Sequence, residues 1–177
     1  MKGRRKKQKS VVEGCFIPPL DEPFGIVIFG ASGDLTKKKL LPALQNLYRC
    51  GFFPENFFVL GVARTKMDDD EFRRGFKSQS EKVDEGFLKK LFYQVVDYTK
   101  GETFKGLKER LTALHKSLST EGNTLFYLAV PPQVTEDIID NIGRSSIKTP
   151  PGWKRIVIEK PFGWDLRSAR KLNELLH

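Results

Sequence analysis

Between Ile26 and Thr36 the chain reads I-V-I-F-G-A-S-G-D-L-T, a run of β-branched and aromatic residues that breaks at two glycines and passes into a helical pattern. A buried strand that hands over to a helix in this way places the first helical turn where a phosphate can sit. Gly30 has no side chain to obstruct a tight turn, and Gly33 allows the backbone to approach an anion closely. The unpaired N–H groups of the helix start, together with the positive end of the helix dipole, supply the attraction. The spacing is G-x-x-G, not the commoner G-x-G-x-x-G, so an ordinary strand–turn–helix corner fits it too.

A second corner adds chemistry. The apolar run from Phe57 to Ala63 ends at Arg64, with Thr65 and Lys66 beside it. In a doubly wound sheet the end of the second strand lies next to the adenosine ribose, where an acid would bond the free hydroxyl of NAD. Arginine instead offers a planar fork of donors that suits a ribose 2′-phosphate, which points to NADP. A solvated turn after a strand is the plainer alternative.

The elements that must hold these corners alternate along the chain. A helix is predicted from Leu35 to Gly51, where the glycine suits a helix stop. After the second strand, Asp68, Asp69, Asp70 and Glu71 open a helix with acids at its dipole-favoured end. The stretch from Phe87 to Tyr98 reads as a helix end followed by a short strand around Gln94–Val96. Phe104, Leu107, Leu111, Leu114 and Leu118 mark an amphipathic helix. A strand over Thr124–Val130 stops at Pro131 and Pro132, and a helix follows from about Val134 to Gly143. A last strand, Arg155–Glu159, precedes a helix from Asp165 to His177. Strands separated by helices imply parallel pairing through right-handed crossovers, hence an α/β, doubly wound, mainly parallel sheet. Ligands of such sheets bind beyond the carboxyl ends of the strands, here Gly30–Asp34, Arg64–Lys66, Ala129–Pro132 and Glu159–Gly163.

Composition sets limits. At 177 residues the chain accommodates one domain with a sizeable core, and its 39% hydrophobic and 30% charged residues are those of a soluble globular protein. No apolar run approaches the roughly 18 residues that would cross a bilayer, so no membrane association is expected. Cys15 and Cys50 form neither a disulfide framework nor a metal cluster, and no metal site is expected. The net charge of +9 owes six positive charges to Lys2, Arg4, Arg5, Lys6, Lys7 and Lys9, so the basicity belongs mainly to a tail. With no aromatic residues interleaved and no recognisable module behind it, that tail gives no reason to expect nucleic acid. Pro18, Pro19 and Pro23 separate it from the first strand, which divides the chain into a tail, 1–23, and a domain, 24–177.

Taken together, the four corners resemble glucose-6-phosphate dehydrogenase. Gly30-Ala31-Ser32-Gly33-Asp34-Leu35 is similar to the coenzyme-binding G-A-S-G-D-L motif of that family, and Lys37-Lys38-Lys39-Leu40-Leu41-Pro42-Ala43-Leu44 continues the likeness. Val62-Ala63-Arg64 resembles the strand end whose arginine holds the 2′-phosphate. Phe126 to Pro132 resembles the L-F-Y-L-A-L-P-P corner at the nicotinamide ribose, and Glu159-Lys160-Pro161-Phe162-Gly163 resembles E-K-P-F-G. The resemblance implies a Rossmann-like NADP domain. Its cofactor-binding set would be Gly30, Ala31, Ser32, Gly33, Asp34, Leu35, Thr36, Lys37, Arg64, Thr65, Ala129, Pro131 and Lys160.

It also implies a reaction, the oxidation of glucose 6-phosphate to its lactone in the pentose phosphate pathway, with Lys160 bonding the sugar beside the coenzyme. The Lys160-Pro161 bond could also move the lysine through a proline-dependent backbone change. Hydride removal from a hydroxyl-bearing carbon needs a base. The family's base lies in a motif resembling R-I-D-H-Y-L-G-K-E, which this chain does not reach before His177. No catalytic residue is therefore expected among these 177, His115 is expected at the surface, and His177 at a frayed end. The family's larger catalytic and dimer-forming domain is likewise not in the sequence, so the chain is expected to be a coenzyme-binding piece of a homo-oligomeric cytoplasmic enzyme, inactive alone. A stand-alone NADP-binding regulatory module is the alternative. The sequence departs from the family at Thr135, where an aromatic residue is frequent, and matches loosely around Tyr93–Thr103.

Overall fold

Five short apolar segments pair side by side in one direction and make a single sheet in the order β3-β2-β1-β4-β5, every neighbour parallel. These are β1 (Phe24–Phe29), β2 (Phe57–Ala63), β3 (Leu91–Val95), β4 (Thr124–Leu128) and β5 (Lys154–Ile158). The structure, a computed structural model, describes residues 20–79, 82–145, 147, 151–163 and 165–176. The basic tail through Pro19 and His177 lie outside the described residues. The central strands β1 and β2 are buried on both faces along their whole length, as near-continuous apolar runs in a parallel sheet must be.

Helices cover both faces, and the two cores differ. On one face α4 (Gly101–Ser117), α5 (Pro132–Arg144) and α6 (Leu166–Leu176) bury Phe104, Leu107, Ile138 and Leu172 against Phe29, Phe58, Leu60 and Phe126. On the other, α1 (Leu41–Arg49), α2 (Asp69–Lys77) and the short α3 (Glu85–Leu88) bury Leu41, Phe72, Phe76 and Phe87 against Ile26, Ile28, Phe57 and Val59. Each such side chain contributes about 1.5–3 kcal/mol relative to exposure.

Local chemistry ends and edges the elements. The first helix begins as a five-residue π-helical turn, Thr36–Leu40, before α1. Gly51, in the left-handed region at φ +75°, follows α1. Asp68 caps α2 with its carboxylate on the Glu71 N–H, and Glu71 returns the bond to the Asp68 N–H. Strand β3 is a sheet edge, yet Asp69 accepts the Tyr93 N–H at 2.7 Å and Arg73 donates to the Leu91 carbonyl at 2.9 Å. Those side chains occupy backbone groups that would otherwise invite another strand. The guanidinium groups of Arg73 and Arg110 lie 5.4 and 5.6 Å from the Phe92 ring centre.

Two expectations are corrected. The third strand runs over Leu91–Val95, three residues earlier than the expected start at Gln94. Leu91 and Tyr93 are buried against the α2 side, so packing, which period-two reading of a short stretch cannot weigh, sets the strand's start. His115 is half-buried and not a free surface residue. Its ring lies edge-on to Phe58 at 5.2 Å, and its nitrogens meet the hydroxyls of Thr120 and Thr124 at 2.6 and 3.0 Å. It sits at the amino end of β4, across the sheet from the strand ends where ligands bind.

Candidate coenzyme site

Parallel registers bring the four corners level. Phe29 stands opposite Val62 and Leu128, and Leu128 opposite Ile158, so all four strands reach the same edge of the sheet in one row. The next residues out are Gly30, Ala63, Ala129 and Glu159. The sheet thus gathers Gly30, Arg64, Ala129, Pro131 and Lys160 along one rim.

The first corner is tightly built. Gly30 has φ +85°, and a Cβ there would fall 2.1 Å from the Ala129 carbonyl oxygen. A side chain is excluded by conformation and by space. Ala31 is fully buried, and Thr36 is buried with its hydroxyl donating to the Gly30 carbonyl at 3.1 Å. These two shape the turn from inside and offer a ligand only backbone. Gly33 differs: its φ is ordinary, it is exposed, and a Cβ would meet only the Gly30 carbonyl oxygen at 3.2 Å. The protein itself makes a mild demand for glycine here. Among the described residues, the N–H groups of Ser32, Asp34 and Leu35 have no protein acceptor. With the helix dipole behind them they form an anion-attracting rim. Asp34 is exposed and pairs with Lys38 at 2.8 Å, which holds its carboxyl below the usual range. Lys37 and Lys39 make no ion pair among the described residues.

The second corner is held by tyrosines. Arg64, Thr65 and Lys66 are exposed. Tyr98, buried after β3, donates to the Val62 carbonyl at 3.0 Å and accepts the Gly30 N–H at 2.9 Å. It ties the end of β2 to the glycine turn. Burial pushes its phenol up, and the nearby Arg64 charge opposes that shift. Tyr93 donates to the Thr65 carbonyl at 2.8 Å, and burial pushes its phenol up to about 12, so the proton stays on it at neutral pH.

At the far corners, Pro131 precedes α5, whose amino end faces the same rim, and its carbonyl accepts the Val134 N–H at 3.2 Å. Tyr127 donates a short hydrogen bond to the Glu159 carboxylate, with its own phenol pushed up to about 12 by burial and by that partner. Lys160 follows Glu159, is exposed, and is joined to Pro161 by a cis peptide. Thr135 is buried, and lines a narrow crevice with Pro132, Ile158, Pro161 and Gly163.

Sequence reading did not single out Tyr93, Tyr98 or Tyr127. The available signal was the tyrosine type itself within apolar strand segments or just after one, since a buried phenol must find a polar partner. No group of three or more metal-ligating side chains is assembled among the described residues. No helix among them is long and apolar enough to cross a membrane.

The comparisons with known proteins agree in one direction. The family described as "Glucose-6-phosphate dehydrogenase, NAD binding domain" matches residues 27–177. A glucose-6-phosphate 1-dehydrogenase of Aggregatibacter actinomycetemcomitans is 44% identical over 160 residues, 86% of this chain and 32% of the relative. Cytoplasmic glucose-6-phosphate 1-dehydrogenase 6 of Arabidopsis thaliana is 39% identical over 94% of this chain and 35% of its own length. A solved glucose-6-phosphate dehydrogenase in complex with glucose 6-phosphate superposes with a TM-score of 0.77 at 34% identity, covering 90% of this chain and 35% of that one. The enzyme from Mycobacterium avium gives 0.66 at 28% identity, covering 89% and 34%. The chain spans about a third of the length of the curated relatives it matches. On the match to residues 27–177, the chain belongs to the glucose-6-phosphate dehydrogenase NAD-binding domain family.

Proposed function

We propose that this chain is the NADP-binding part of a glucose-6-phosphate dehydrogenase, which oxidises glucose 6-phosphate to its lactone. The observation that carries the reading is the level rim: the glycine turn and Arg64 emerge from neighbouring strands, tied together by Tyr98. The donor set fits the coenzyme. The free N–H groups of Ser32, Asp34 and Leu35 would take the pyrophosphate, with Lys37 adding positive charge, and Arg64 with Thr65 would take the 2′-phosphate. Ala129 and Pro131 would border the nicotinamide ribose. When bound, the nicotinamide serves as hydride acceptor. Lys160, on a backbone set by the Tyr127–Glu159 bond, would donate to the sugar where it meets the coenzyme.

His115 cannot be the base in this arrangement, because it is fixed at the opposite end of the strands by Thr120 and Thr124. The proton acceptor and the remaining sugar contacts would come from residues outside these 177. The domain itself would comprise residues 24–177, with 1–23 as a preceding segment. Cytoplasmic placement follows the name of the Arabidopsis relative.

Calorimetry of the purified chain with NADP and NAD tests the reading. Binding of NADP tighter than NAD is expected, together with no coenzyme reduction when glucose 6-phosphate is added. Failure to bind either coenzyme as folded protein would overturn it. Turnover abolished by Lys160→Ala would place a base within this chain.

A further inference from the structure

The short link between β2 and α2, Arg64 to Met67, carries the residues proposed to recognise the coenzyme's 2′-phosphate. Its backbone is secured from the rest of the protein by one side-chain hydrogen bond among the described residues, the Tyr93 hydroxyl donating to the Thr65 carbonyl at 2.8 Å. Tyr93 is itself fixed from two sides. Its ring packs against Phe72 with centres 5.2 Å apart, and its N–H is held by Asp69 at 2.7 Å. Asp69 in turn pairs with Arg110 at 2.5 Å. This buried, anchored tyrosine therefore reaches up under an exposed loop and bonds to the Thr65–Lys66 peptide, one residue beyond Arg64.

We propose that Tyr93 is a positioning residue for coenzyme choice, which fixes the Thr65–Lys66 peptide so that the Arg64 guanidinium, one residue before it, is presented to a ribose 2′-phosphate. The proposal rests on the NADP reading above. A long arginine on an unanchored loop loses conformational freedom on binding, and that loss lowers the affinity its charge provides. Anchoring the peptide removes part of that cost before the ligand arrives. NAD has no phosphate for Arg64, so its binding gains little from the anchor. Tyr98 offers the contrast: it holds the glycine turn, which both coenzymes need equally.

The test compares dissociation constants for NADP and NAD in the 177-residue protein, in Y93F, in R64A and in the double variant. Y93F retains the ring on Phe72 and removes only the donor. It is expected to weaken NADP about three- to tenfold, the scale of one hydrogen bond, and to leave NAD within about twofold. The double variant should bind NADP no more weakly than R64A, because the anchor acts through the arginine. Any unfolded fraction lowers the number of sites for both coenzymes and leaves the ratio of their constants unchanged. A parallel loss for both coenzymes, no loss, or additive effects in the double variant would overturn the role of Tyr93 while leaving the NADP reading intact. Collapse of the fold in Y93F would overturn it too, by making the hydroxyl a determinant of the fold. If R64A itself fails to discriminate, the NADP reading falls and the Tyr93 role with it.

Discussion

The phenolic oxygen of Tyr98 accepts the Gly30 N–H at 2.9 Å while donating to the Val62 carbonyl at 3.0 Å. One side chain from beyond β3 thereby joins the first turn of the anion-binding helix to the strand that ends at Arg64. Tyr98→Phe leaves a turn N–H with the Val62 carbonyl alone, at 2.9 Å. The expected cost is about 1 kcal/mol in stability, read as a lowered urea midpoint. Affinity for NADP and NAD should fall by the same factor, because the glycine turn serves both. A selective loss of NADP would show that Tyr98 acts on Arg64 and not on the turn.

The two glycines of the first corner separate folding from binding. Gly30→Ala puts a methyl 2.1 Å from the Ala129 carbonyl oxygen at φ +85°. A destabilisation of about 2–4 kcal/mol or more is expected, within the range of strained backbone and overpacking. Gly33→Val meets one carbonyl at 3.2 Å in an exposed position, so circular dichroism should retain the mixed α/β signal. Its branched side chain would stand where the pyrophosphate approaches, and calorimetry should show severe loss of NADP binding. Undiminished affinity in folded Gly33→Val would remove the pyrophosphate from this turn.

Arg64 sets the third expectation. Its guanidinium gains a partner only when the 2′-phosphate is present, so Arg64→Ala should cost NADP on the order of 1.5–3 kcal/mol, the scale of a charge-assisted hydrogen bond. NAD should lose much less, and the NADP loss should shrink as salt rises. Equal losses for both coenzymes would assign Arg64 to the fold.

Much of this arrangement was legible before the structure. The apolar runs at Phe24–Phe29 and Phe57–Ala63 are long, branched and bounded by glycine or charge, so their strand character and parallel pairing followed from local pattern. The helix starting at Asp69 announced itself through the acids that open it. What could not be read were contacts between residues far apart in the chain. Tyr98 meets Gly30 across 68 positions and Tyr93 meets Thr65 across 28, and no spacing rule encodes either bond. The Gly30–Gly33 pair was legible as a turn, but their unequal roles were not, because the Ala129 carbonyl that crowds Gly30 arrives from another strand. His115 was misread partly for the same reason. The Phe58 ring comes from strand β2, and the two threonines follow just beyond the end of its helix, where helical spacing does not reach.

That enclosure gives His115 a pH signature. The Thr124 hydroxyl donates to the Gly122 carbonyl at 3.0 Å, so its oxygen is left to accept from Nε2–H, and Nδ1 accepts from Thr120. The ring is held neutral. Burial, reinforced by the Lys154 charge, lowers its pKa from 6.5 to about 4. The unfolded chain therefore binds a proton near pH 6.5 that the folded protein refuses until about pH 4. Stability from this residue is complete above 6.5 and is lost as the pH falls through that window. Between pH 7 and 5 the loss should be about 1–2 kcal/mol, measured by urea unfolding at each pH. The carboxylates of Asp34, Asp97 and Asp165, all lowered below the usual 3.8, act only at still lower pH. His115→Gln keeps polar atoms for the threonines without a titrating ring, and should flatten the stability profile between pH 7 and 5 while leaving NADP affinity unchanged. An equal slope in His115→Gln would assign the acid sensitivity to other groups, and a loss of NADP affinity would connect the two ends of the sheet.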